Sequence, residues 1–171
     1  AGLAMGHIPK VVSDDGEQRF FIAFDLVMQI VAPPGGEISF AGIRRIIYLL
    51  RDRGFKIVQV TYDGWQSQES IFELRRKNIQ ADVLSVDTNL APYGDLHDAM
   101  SEGRCSCPPL LCQIPGEDGG TQLVNMIEKE LGELQWAFSE SRALRIDHPT
   151  PGSKDLADGL AGVCFNLLGN R

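Results

Sequence analysis

Residues 39 to 63, SFAGIRRIIYLLRDRGFKIVQVTYD, constrain the fold of this chain more than any other stretch. Phe40, Ile43, Ile46, Ile47 and Leu50 recur at the spacing of a helix with one apolar face. Ser39 stands where an N-cap accepts from the first turn, and Gly54 where the helix stops. The run from Phe55 to Asp63 follows at once, short and apolar, as a buried parallel strand is. A helix that feeds such a strand through one glycine is part of a crossover, and crossovers build α/β sheets.

The pattern then repeats. SQESIFELRRKN predicts a second amphipathic helix with Ser67 as its cap, ADVLSVD (Ala81 to Asp87) the next strand, and YGDLHDAMSEG a third helix. Upstream, AGLAMGHIPKVV and RFFIAFDLVMQIV (Arg19 to Val31) read as two strands. The turn chemistry of SDDGEQ joins them into an antiparallel hairpin, and APPGGE ends it. Downstream, Arg104 to Gly120 reads as irregular, TQLVNMIEKELGELQWAF as one longer helix, RALRIDHP as a short extended segment, and about Ser153 to Leu168 as the last helix. The order β-β-α-β-α-β-α, a variable region and a C-terminal helix predicts a mixed-sheet α/β domain with no repeat or interdomain linker.

With 171 residues the chain is long enough to bury a core and of a length that usually forms one domain. Its net charge of −7 argues against a broad nucleic-acid-binding surface, because phosphate contacts need Lys and Arg. A metal-dependent nuclease escapes that exclusion: its site concentrates carboxylates, and bound cations reverse the local sign. No apolar run approaches the ~20 residues of a membrane span. His7, Pro9 and Lys10 interrupt any signal-peptide core, so nothing points to export. The phosphate-binding loop of ATPases and the G-x-S-x-G and H-E-x-x-H motifs are absent. Cys105, Cys107 and Cys112 cluster as C-x-C-x4-C with His97 nearby, a spacing that matches no common zinc pattern. Reduced thiols of a cytosolic protein, with Cys164 on an apolar helix face, are the plainer reading.

The acids are more informative. Asp63 ends the strand KIVQVTYD and precedes Gly64. Ligands of open α/β sheets bind beyond the carboxyl ends of strands, so an acid there is placed for chemistry, although Asp-Gly is also ordinary turn sequence. Asp87 ends the next strand and can border the same place. Asp155 and Asp158 share one face at the start of the last helix. Leu156, Leu160, Val163 and Leu167 make one apolar stripe of that helix, and Ala157, Ala161, Cys164 and Leu168 a second. Asp155, Asp158, Gly159, Gly162 and Asn166 form a polar strip whose small residues let another backbone or a substrate come close. Two readings of these acids stand. Asp in a first turn offsets the helix dipole by ~0.3–1 kcal/mol; together with a strand-end acid it can also ligate a hard cation. Asp25, in mid-strand, faces solvent or pairs with an Arg, and His7 and His148 read as structural or turn residues.

Several separated segments carry a resemblance. Tyr62-Asp63-Gly64-Trp65-Gln66-Ser67, Ser85-Val86-Asp87, and Asp147-His148-Pro149 followed by Gly152-Ser153-Lys154-Asp155 and Ala157-Asp158, together with AGLAMGHI, resemble the C-terminal nuclease domain of a tailed-bacteriophage terminase large subunit. The resemblance spans nearly the whole chain and is weakest from Arg104 to Gln122. It implies a ribonuclease H-like mixed sheet flanked by helices, and an endonuclease that cuts concatemeric viral double-stranded DNA during packaging. It also implies two ions of Mg²⁺ or Mn²⁺, catalytic Asp63 and Asp155 as their ligands, and Asp158 as a neighbour that assists or substitutes. Lys154 or the run Arg75-Arg76-Lys77 can contact the DNA backbone, and a charge run of this kind is also what a solvated helix face looks like. The implied partners are DNA, the terminase ATPase domain, the small terminase subunit and the portal protein, with no membrane, in the cytoplasm of an infected bacterium.

The chain departs from the family in one respect. The family's first acid lies on a central strand before the segment resembling AGLAMGHI. The expectation is therefore a single nuclease domain over 1–171 that is incomplete at its N-terminus and lacks the ATPase motor. The alternatives are another ribonuclease H-like nuclease, such as a resolvase or recombinase, a non-catalytic docking module of the packaging motor, and a zinc-thiol structural module.

Overall fold

The computed structural model describes residues 1–14, 17–64, 67–86, 89–116, 119–138, 144–150 and 152–169. Trp65, Gln66 and Asp87 of the motifs above lie outside the described residues. In chain order the elements are β1 (Gly2–Asp14), β2 (Glu17–Gln29), α1 (Phe40–Asp52), β3 (Gln59–Tyr62), α2 (Gln68–Arg76), β4 (Gln80–Val83), α3 (Ala91–Ser101), β5 (Cys105–Ser106), β6 (Leu111–Pro115), β7 (Thr121–Asn125), α4 (Met126–Glu133), β8 (Gln135–Phe138), β9 (Leu144–Asp147) and α5 (Asp155–Gly169). They fall into two compact units, Ile30–Val86 and Ala1–Gln29 with Asp87–Arg171. No described helix is long and apolar enough to cross a membrane.

The unit Ile30–Val86 holds the crossover. The Ser39 side chain accepts from Gly42 N–H at 3.1 Å, so α1 begins at the expected cap. β3 and β4 pair in parallel from Gln59↔Gln80 to Tyr62↔Val83, with α2 as the connection. Ile43, Ile47, Tyr62, Ile71, Leu74, Ile79 and Ala81 bury their side chains in one cluster. Helices α1 and α2 end alike. Gly54 (φ 98°) and Asn78 (φ 58°) take the left-handed position after the cap. Phe55 N–H then reaches back to Leu50 O and Ile79 N–H to Leu74 O, satisfying carbonyls that the helix leaves open. Ser67 stands at the start of α2 but makes no side-chain cap; its hydroxyl donates to Gly64 O at 2.7 Å and closes the turn after β3 instead. Ser39→Ala removes the α1 cap and lowers the stability of this unit by about 1 kcal/mol in urea unfolding.

In the other unit β1 and β2 form the expected hairpin, and β5 adds in parallel beside β2 through Ile22↔Cys105. Met5 pairs with Leu26 and Gly6 with Phe24, which leaves Asp25 as the extra residue of a bulge. Asp25 pairs with His7 at 2.8 Å. Helix α5 packs on β1, β2, α3 and α4. The small residues of its polar strip admit the β1 backbone: Gly159 lies against Ala4, and a side chain at Gly2 would overlap the Asp155 carbonyl.

The segment Thr121 to Phe138 corrects the sequence expectation of one longer helix: it is strand β7, helix α4 and strand β8. Asn125 divides it. Its side chain accepts from Ile127 N–H at 3.3 Å and from Leu110 N–H at 3.1 Å, starting α4 and tying it to the neighbouring loop. Thr121 to Asn125 pair with β6, and Gln135 to Phe138 with β9. Short apolar runs fit either periodicity, and here strand pairing decides. For the same reason residues 104–120, expected to be irregular, contain β5 and β6.

Candidate functional site

The start of α5 shows how one of the candidate acids is presented. The first N–H groups of a helix lack intrahelical partners. Here Asp155 N–H donates to Ser153 Oγ at 3.2 Å, and Leu156 and Ala157 N–H donate to Glu130 Oε2 at 2.8 and 3.2 Å. Asp158 N–H donates to Lys154 O at 2.8 Å. None of these bonds uses the Asp155 carboxylate. It stands half-exposed, at 49 %.

Asp158 has a different environment. Its side chain is 17 % exposed, and Lys154 Nζ lies 2.9 Å from each of its oxygens. The Tyr93 hydroxyl donates to Oδ1. Lys154, expected as a DNA contact, is itself only 12 % exposed and is bound to Asp158.

Glu130 of α4 did not stand out in the sequence. It is 2 % exposed, and burial pushes its carboxyl above the usual range against the opposing effect of the Ala157 and Leu156 N–H bonds. Its Oε1 has no hydrogen-bond partner among the described residues. The available signal was its place three residues after Ile127, on the face of NMIEKELGE that packs inward.

Asp147, at the end of β9, lies in the same region of sequence. The His148 N–H bond, with the charges of Arg145, His148 and Lys154, holds its carboxyl below the ordinary 3.8. Arg145 approaches it at 2.5 Å. A depressed native pKa contributes stability that is present above the unfolded value and lost as pH falls through the native one. Asp147→Asn therefore lowers stability at neutral pH, and thermal melts of variant and wild type converge only as the pH falls through the lowered native pKa of Asp147.

In Ile30–Val86, Asp63 follows directly on β3, at the carboxyl end of a parallel strand, and is exposed. Gly64 (φ 80°) turns the chain away immediately after it. Among the described residues no three His, Cys, Asp or Glu side chains are grouped to hold a metal ion.

No protein-family model and no curated protein matches the chain. Solved structures do. The large terminase nuclease of thermophilic phage G20c with bound cobalt is 16 % identical over 94 % of this chain and 80 % of that one, with a TM-score of 0.57. The same nuclease with bound magnesium is 16 % identical over the same shares, with a TM-score of 0.54. A further structure of it is 15 % identical over 95 % and 82 %, with a TM-score of 0.57. The chain has the fold of a large terminase nuclease.

Within this terminase-nuclease fold the remaining candidates have ordinary partners. Arg75 donates to Ala81 O at 2.8 Å and pairs with Asp82 at 2.6 Å. Arg76 pairs with Glu73 at 3.1 Å and covers the Phe72 ring. Lys77 is exposed, and its carbonyl accepts from Arg51. The run is thus an exposed helix end with its two arginines engaged. His148 Nδ1 lies 3.3 Å from Asp147. The four thiols are free; burial pushes Cys107 up to about 11 and Cys164 to about 12, and His97 pairs with its neighbour Asp98.

Proposed function

We propose that this chain is a divalent-metal-dependent endonuclease of ribonuclease H-like fold that cuts concatemeric double-stranded viral DNA during genome packaging. The observation that carries the reading is the match in fold, over most of both chains, to terminase nucleases whose structures hold cobalt or magnesium. Asp63 and Asp155 are the residues proposed to hold the metal. Both carboxylates reach solvent, and both offer the hard oxygen donors that Mg²⁺ and Mn²⁺ take. Asp158 supports the site rather than ligating it, since Lys154 and Tyr93 engage its oxygens.

Two bound cations would supply an activated water and a stabilised leaving oxygen. The protein's part is placement. Asp63 follows β3 at a strand end, Asp155 opens α5, and Lys154 pairs with Asp158 in the same turn. DNA is the substrate, and the ATPase domain, the small terminase subunit and the portal are the partners, in the cytoplasm of an infected bacterium. Calorimetric titration with Mn²⁺ tests the reading: saturable binding that Asp155→Ala removes supports it, and no binding at millimolar Mn²⁺ supports a docking module instead. Cleavage confined to branched junctions supports a resolvase.

A further inference from the structure

We propose that Glu130 is a positioning residue that holds the first turn of α5 where Asp155 can meet a cation, an inference that rests on the metal-site reading above. Helices commonly cap themselves with a Ser, Thr, Asp or Asn just before the first turn. Lys154 occupies that place in α5, and an ammonium cannot accept a hydrogen bond. Ser153 Oγ serves only the Asp155 N–H, and the acceptor for the next two N–H groups comes from another element. Glu130 Oε2 receives the N–H groups of Leu156 and Ala157, 26 and 27 residues away in sequence, from a side chain that is 2 % exposed. α4 is itself anchored, because the Asn125 side chain starts it and also binds Leu110 N–H. β1 also comes so close that Gly2 has no room for a side chain against the Asp155 carbonyl. The turn that carries Asp155 is therefore clamped by α4 and β1. Metal ligands need placement to within about 0.5 Å, and groups that orient ligands without touching the ion typically change metal affinity by about 10–100-fold.

Glu130→Ala leaves two buried N–H groups without an acceptor, whereas Glu130→Gln keeps a carbonyl oxygen for them. The expected result is that Glu130→Ala raises the Mn²⁺ dissociation constant in calorimetry by about tenfold or more, while Glu130→Gln stays within about threefold of wild type. If Glu130→Ala fails to fold, Glu130→Asp, one methylene shorter, takes its place and is expected to bind Mn²⁺ more weakly than Glu130→Gln. A merely structural role would lower the melting temperature of metal-free protein and leave the dissociation constant of the folded fraction unchanged; that result overturns the proposal. So does Glu130→Gln binding as weakly as Glu130→Ala, which would make charge rather than capping the cause. Asp155→Ala separates this from the reading beneath it. Wild-type Mn²⁺ binding by Asp155→Ala means that the metal-site reading has failed. Loss of binding there, with normal binding by Glu130→Ala, means that only the role of Glu130 has.

Discussion

Asp155→Ala and Asp63→Ala each abolish metal-dependent cleavage of plasmid DNA, by about three orders of magnitude or more. That scale corresponds to the several kcal/mol of charge stabilisation that a catalytic metal supplies, at about 1.4 kcal/mol per tenfold. The loss should come without unfolding. The N–H groups around Asp155 are satisfied by Ser153, Glu130 and the Lys154 carbonyl, not by its own carboxylate, and Asp63 is exposed. Circular dichroism melts of both variants should stay close to wild type while the cleavage assay falls to background. Full activity in either variant removes that residue from the metal site.

Leu160→Ala has the largest expected effect on stability, about 2–5 kcal/mol. Leu160 is 1 % exposed, in the middle of the helix that packs on β1, β2, α3 and α4. Truncation of so fully buried a side chain leaves a cavity that its surroundings fill only in part. For a chain of this size each kcal/mol lowers the melting temperature by about 2–4 °C. Leu123→Ala is the control. Its side chain is 63 % exposed, so the change stays within about 0.5 kcal/mol. A calorimetric scan of the two variants checks both figures. Equal melting temperatures would mean that α5 is not the structural centre of its unit.

The sequence was most legible where local chemistry and tertiary packing agree. Ser39 and Gly54 bracket α1 because a side-chain acceptor and a left-handed residue are what the ends of a helix require. The hairpin and the parallel pair β3–β4 follow from apolar runs bounded by turns. Legibility failed between Thr121 and Phe138. There the choice of strand or helix depends on β6 and β9, partners that a local pattern does not contain.

The candidate site divides in the same way. Asp63 and Asp155 are legible as candidates because a strand end and a helix start are visible in the pattern; Asp63 follows β3 and is exposed, and Asp155 opens α5 half-exposed. The pairing of Asp158 with Lys154 lies at i and i+4, so spacing alone allowed it, but the Tyr93 hydroxyl comes from 65 residues away. Glu130 escaped notice because a glutamate amid charged neighbours reads as surface. Only the approach of α5 turns its carboxylate into the acceptor for a helix end.

The most direct measurement is a crystal structure of the wild-type protein at saturating Mn²⁺. The account predicts Asp63 and Asp155 as ligands of one centre, with two ions about 3.5–4 Å apart. Carboxylates of Asp63 and Asp155 more than about 10 Å apart, with Mn²⁺ bound elsewhere or not at all, would contradict it, because no shared two-metal centre spans that distance.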